Sequence, residues 1–103
     1  MRVEILHIDD CHNWREAGRL TQEALEFAGR DEKVSYRLLE TPEEASATAF
    51  AGSPTITIDG DDLFPSEGRT SELACRIYFT SSGIAGLPEF DQLVESIHAY
   101  DER

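Results

Sequence analysis

Cysteine is scarce in this chain: Cys11 and Cys75 are the only two. Two thiols are too few for a disulfide scaffold, and their spacing fits no standard zinc motif. Positive charge is scarce as well. Nine Lys and Arg stand against 21 Asp and Glu, giving a formal net charge of −12. Nucleic acid and anionic membrane surfaces demand clustered cations, so neither is expected as a main partner. No apolar run approaches the roughly 20 residues of a membrane span. The start, Met1-Arg2-Val3-Glu4-Ile5-Leu6-His7, is too short and too charged for a secretory leader, which points to the cytoplasm. In that reducing compartment both cysteines rest as thiols unless chemistry cycles them.

What is present is a globular balance of 40% apolar and 29% charged residues over 103 positions, enough for one domain spanning 1–103. Val3–Ile8 is β-branched and mostly apolar, the pattern of a buried central strand. Trp14, Ala17, Leu20, Ala24, Leu25 and Ala28 recur at helical spacing, which predicts a helix from about Asn13 to Ala28. Asn13 and Glu16 read as its capping box and Gly29 as its stop. Val34, Tyr36 and Leu38 alternate with polar residues, so Lys33–Glu40 reads as a second strand. Thr41-Pro42-Glu43-Glu44 is a helix start, with a Thr cap, Pro at the first position and Glu at the third. Pro54–Ile58 is a period-2 strand closed by the Asp59-Gly60 turn signal. Asp61–Ser71 reads as a loop and Leu73–Phe79 as a fourth strand. Ser81-Ser82-Gly83 reads as a turn and Pro88 as the opening of a last helix. The order β-α-β-α-β-β-α predicts an α/β domain: a mixed four-stranded sheet, parallel in its first half, with helices on both faces.

Cys11-His12-Asn13-Trp14 before the first helix and Gly52-Ser53-Pro54-Thr55 opening the third strand carry a resemblance. Their order and placement resemble the thioredoxin superfamily. The chain is most similar to short bacterial thioredoxin-like proteins with a Cys-Pro-Asn-Trp motif, some of which are described as alkylmercury lyases. The resemblance covers nearly the whole chain. It implies a thioredoxin-like fold, Cys11 as the nucleophile, and a cis peptide bond at Pro54. It also implies that Ser53 and Pro54, with His12 and Trp14, frame the substrate, which the cis-Pro backbone receives like an added strand. No cofactor and no resident metal are implied. Two departures matter. Trp14 stands where the second cysteine of a Cys-x-x-Cys would be, and His12 replaces the usual Pro or Gly.

A thiol just before a helix gains from the first-turn N–H groups, whereas Asp9 and Asp10 oppose thiolate formation. Cys75 is the candidate resolving or second thiol. In thioredoxin-like sheets its strand lies two strands from the one leading to Cys11, about 9–10 Å at ordinary strand spacing. A disulfide needs Cα atoms within about 7 Å, so Cys75 is expected instead in the core, on a face with Ile77 and Phe79. Arg76 and Tyr78 should then face away from it. His7, Asp9, Asp10, Cys11 and His12 do not converge as zinc ligands do, and the aspartates read as solvated or capping groups. Cys11 and Arg15 form a Cys-x-x-x-Arg that, with Arg69 and Arg76, would suit an oxyanion; Arg15 on an exposed helix face is the simpler account. Glu43, Glu44, Asp61, Asp62 and Glu67 read as solvated surface.

These observations lead to a single-cysteine thiol protein exchanging disulfides through Cys11, with a protein or a low-molecular-weight thiol or disulfide as partner. Two alternatives stand beside it. One is a non-catalytic thioredoxin-like binding module. The other is capture of a soft metal or an organomercurial by the two thiols.

Overall fold

The computed structural model describes residues 1–65 and 73–102. The apolar stretch near the start becomes strand β1 (Val3–His7), buried at four of its five positions. It lies inside the sheet. Strand β2 (Ser35–Leu38) runs parallel to it on one side, and strand β3 (Thr55–Ile58) antiparallel on the other. Strand β4 (Asp61–Asp62) pairs antiparallel with β3, giving the order β2-β1-β3-β4. This is the mixed four-stranded sheet that the alternation of elements predicts.

Side-chain alternation sends Val3 and Ile5 of β1, with Ile56 and Ile58 of β3, to one face of the sheet. Helices α1 (Trp14–Phe27) and α3 (Phe90–Asp101) cover that face. They bring Ala17, Ala24, Leu25, Leu93 and Ile97 into a single core. Each large aliphatic side chain buried there contributes about 1.5–3 kcal/mol relative to exposure. A second cluster joins Leu6 to Ile8, Cys11, Leu39 and Phe50, with Ala45 supplied by the short helix α2 (Pro42–Ser46). Cys11 is therefore built into a core, at 4% exposure.

The caps follow local chemistry. At the start of α2 the Thr41 hydroxyl accepts from the Glu44 N–H at 3.1 Å, and the Glu44 carboxylate accepts from the Thr41 N–H at 3.1 Å. At the end of α1, Gly29 takes φ +79°. There the Gly29 N–H donates to the Glu26 carbonyl and the Arg30 N–H to the Leu25 carbonyl, a Schellman stop. The turn between β3 and β4 holds both Asp59 and Gly60 at positive φ, as a two-residue hairpin requires. The start of α1 departs from expectation. Asn13 makes no side-chain cap and its amide lies against Gly86 instead, while Glu16 pairs with Arg19.

The expected fourth strand is the main correction. Asp61–Asp62, read as loop, supplies the edge of the sheet, because the tight Asp59-Gly60 turn folds the chain straight back onto β3. The segment from Leu73 does not enter that sheet. Its later part forms β5 (Tyr78–Thr80), which among the described residues pairs only with β6 (Gly83–Ala85), in a separate hairpin. Phe79 and Ile84 face each other across this hairpin and stay exposed, at 77% and 68%. Glu89 ties the hairpin to α3, since its carboxylate accepts from the Ser81 N–H at 2.9 Å and the Ser81 hydroxyl at 2.8 Å. Residues 66–71 of the expected loop, with Glu67 and Arg69, lie outside the described residues. Among the described residues no helix is long and apolar enough to cross a membrane.

His7, at the end of β1, is 5% exposed and stacks on Trp14 with ring centroids 4.1 Å apart. Among the described residues its Nδ1 has no hydrogen-bond partner. Burial pushes its imidazole below the ordinary value of 6.5, with the Ile8 backbone and the Asp9 carboxylate opposing. The folded state thus resists protonation that the unfolded chain accepts, so stability falls as pH drops through the unfolded value toward the folded one. His7→Phe keeps the stack and removes the titration. Urea unfolding from about pH 7.5 to about pH 5 should show the wild type losing stability relative to this variant. A constant gap between the two would refute the assignment.

Candidate active site at the Cys11–Cys75 disulfide

The loop after β1 carries Cys11 to a point just ahead of α1, and the third strand begins beside it. Ser53 is 1% exposed, and its hydroxyl accepts from the Ile8 N–H at 3.1 Å, fastening the entry of β3 to the exit of β1. The Ser53–Pro54 bond is cis. Thr55 closes the turn around it: its hydroxyl donates to the Gly52 carbonyl at 2.6 Å and accepts from the Ala51 N–H at 3.0 Å.

The segment leading to β5 runs along this turn. The Ser53 N–H donates to the Ala74 carbonyl at 2.8 Å, and the Arg76 N–H donates to the Ser53 carbonyl at 2.9 Å. These two bonds form a parallel bridge between Ser53 and Cys75. Cys75 is thereby set against Cys11, and the two form a disulfide with Cα atoms 5.9 Å apart. The expected separation of about two strands fails because Cys75 is not on a sheet strand. Its segment is a strap that crosses directly to the Ser53–Pro54 turn. Cys75, Ile77 and Phe79 do share a side, but it is the exposed one.

Arg76 anchors the strap and faces inward, 7% exposed. Its guanidinium pairs with the Asp62 carboxylate at 3.0 Å and donates to the Phe64 carbonyl. It also lies 4.6 Å from the Tyr78 ring centroid. The Tyr78 hydroxyl donates to the Pro54 carbonyl, and burial pushes that phenol well above its ordinary value. Asp62 is therefore a structural partner rather than solvated surface, Glu44 is a cap, and Arg76 is committed to an ion pair instead of an oxyanion.

The other expected site residues differ in exposure. Pro54 is buried at the turn, and His12 is exposed. Trp14 is half-buried, held by His7 on one ring, by Tyr36 edge-on at 5.4 Å, and by the Arg15 guanidinium at 4.9 Å. A groove of about 260 Å³ runs past Asp10, the residue before Cys11, and is lined by Ile8, Asp9, Asp10, Leu39, Glu40 and Leu73. Its carboxylates make it acidic. Among the described residues no three His, Cys, Asp or Glu side chains are placed to hold a metal ion.

Sequence reasoning overlooked Gly52, Asp62 and Tyr78 as parts of the site. Asp62 and Tyr78 carried no local signal, since each gains its role from a segment distant in the chain. Gly52 did carry one, as a glycine beside an X-Pro bond. The chain was compared with family models, with curated proteins and with solved structures, and none of the three gives a match.

Gly52 makes the strap's close approach possible. It takes φ +110°, and a Cβ there would sit 2.8 Å from the Arg76 Cα. Gly52→Ala should cost about 1–3 kcal/mol through backbone strain and push the strap off the turn. In a glutathione redox buffer this variant should hold a smaller fraction of the Cys11–Cys75 disulfide than the wild type. An unchanged fraction would contradict the role given to Gly52.

Proposed function

We propose that this chain is a thioredoxin-like thiol–disulfide exchange protein of the cytoplasm whose working couple is Cys11 and Cys75. The observation that carries this reading is the disulfide itself. It joins a buried cysteine ahead of a helix N-terminus to an exposed cysteine pinned across a cis-Pro turn. The reading revises the single-cysteine scheme. The second thiol that Trp14 displaces from the motif is supplied by the strap, 64 residues further on. A disulfide in a reducing compartment is cycled more often than structural, and an exposed one is the more easily exchanged.

The cycle needs only thiols. A partner thiolate attacks one sulfur of the protein disulfide and expels the other as thiolate. A second partner thiol then attacks the mixed disulfide. Two partner thiols leave as a disulfide, and the protein holds two thiols. The acidic groove at Asp9, Asp10 and Glu40 favours a neutral or basic partner at the sulfur over an acidic one.

A second reading has an observation of its own. The burial of Cys11 in the Leu6–Phe50 cluster suits a structural staple in a non-catalytic binding module. Dithiothreitol-driven reduction of insulin separates the two. Cys11→Ser and Cys75→Ser should each lower turnover at least about tenfold, since neither can form the couple. Turnover equal to that of the uncatalysed reaction in the wild type would leave the binding module in its place.

A further inference from the structure

We infer that the sulfur an incoming thiol attacks is Cys75 Sγ, with Cys11 as the leaving and resolving thiol. This rests on the Cys11–Cys75 couple proposed above and assigns its polarity, the reverse of what the position of Cys11 ahead of α1 leads one to expect.

Access decides the first step. Thiolate attack on a disulfide is in line with the S–S axis, so the attacker approaches from beyond the sulfur it will bond. Cys11 is 4% exposed and packed with Leu6, Ile8, Leu39, Ala45 and Phe50. Burial in that cluster closes Cys11 to an incoming thiol. Cys75 is an exposed residue between exposed Ala74 and buried Arg76.

The helix terminus favours the same direction, opposed by the apolar burial of Cys11 and by the Asp9 and Asp10 carboxylates before it, so access remains the deciding factor. Attack on Cys75 Sγ expels Cys11 as thiolate, two residues before Asn13, the N-cap of a 14-residue helix. The Asn13 side chain makes no cap hydrogen bond, so the first-turn N–H groups keep their positive end uncompensated by it. A thiol whose thiolate is stabilised leaves faster. Attack on Cys11 Sγ would instead expel a thiolate from Cys75, which lies outside the named helices among the described residues.

Resolution also fits. The two Ser53 backbone bonds and the Arg76–Asp62 pair are made by other atoms than the two sulfurs, so they remain to hold Cys75 near Cys11 after the bond opens. The step balances: partner-S⁻ and Cys75–S–S–Cys11 give partner-S–S–Cys75 and Cys11-S⁻. The Cys11 thiolate can return to Cys75 Sγ and release the partner thiolate. Alternatively, a second partner thiol attacks the partner's own sulfur, which leaves Cys75 as a thiolate and the partner as a disulfide. By reversibility, Cys75 is also the thiolate that attacks a disulfide substrate.

The test uses the intact oxidised protein and 2-mercaptoethanol, a neutral thiol that the acidic groove does not repel. Brief exposures are quenched with N-ethylmaleimide, and peptide mass spectrometry locates both adducts. The inference predicts mercaptoethanol on Cys75 and maleimide on Cys11, exceeding the opposite pairing at least tenfold when extrapolated to zero time. Mercaptoethanol on Cys11, or an even partition, overturns it. If maleimide labels both cysteines before any thiol is added, the couple itself does not exist, and the proposed function fails along with the inference.

Discussion

The contact between Ser53 and the Ala74–Arg76 segment is the constraint on which the site depends. Ser53 offers one N–H and one carbonyl there, and both are used by the strap. Without that docking Cys75 would be a lone exposed thiol. With it, a residue 64 positions from Cys11 lies within bonding reach. The docking in turn requires Gly52, because no Cβ fits against the Arg76 backbone, and the Arg76–Asp62 pair, which seats the strap on the β3–β4 edge.

The disulfide and the docking reinforce each other through different states of the chain. Closing a loop of this size restricts the unfolded ensemble, an effect worth about 4 kcal/mol in the chain-entropy account. The hydrogen bonds and the ion pair act in the folded state. The pair is nearly dry, with side-chain exposures of 5% and 10%, so removing one partner would leave a costly buried charge rather than a weak surface loss. Oxidation therefore adds a covalent latch to a segment that already has its own seat.

Much of the fold was legible in the sequence because its signals are local. The β-branched run at Val3–Ile8, the Thr41 and Glu44 capping box, the Gly29 stop and the Asp59-Gly60 turn each act through neighbours a few residues away. Two errors came from competition that local pattern does not encode. At the start of α1 the Asn13 amide lies against Gly86 rather than on the first turn, and Glu16 pairs with Arg19. Leu73–Phe79, apolar and β-like, was outcompeted for the sheet edge by two aspartates that a tight turn delivered to β3 first. In the site, Cys11, Ser53 and Pro54 were readable from short motifs. The pairing of Cys11 with Cys75 was not, because it follows from where the strap runs, and the expected sheet placed that segment too far away.

The disulfide adds a covalent latch to the strap docked on Ser53. Amide hydrogen exchange in oxidised and reduced protein tests this most directly. The Ser53 and Arg76 N–H groups should be protected in both states, with their protection falling together on reduction. The Ile5 and Ile56 amides of the central sheet should stay unchanged. Protection at Ser53 and Arg76 that is identical in the two states, or absent in the oxidised one, would contradict it.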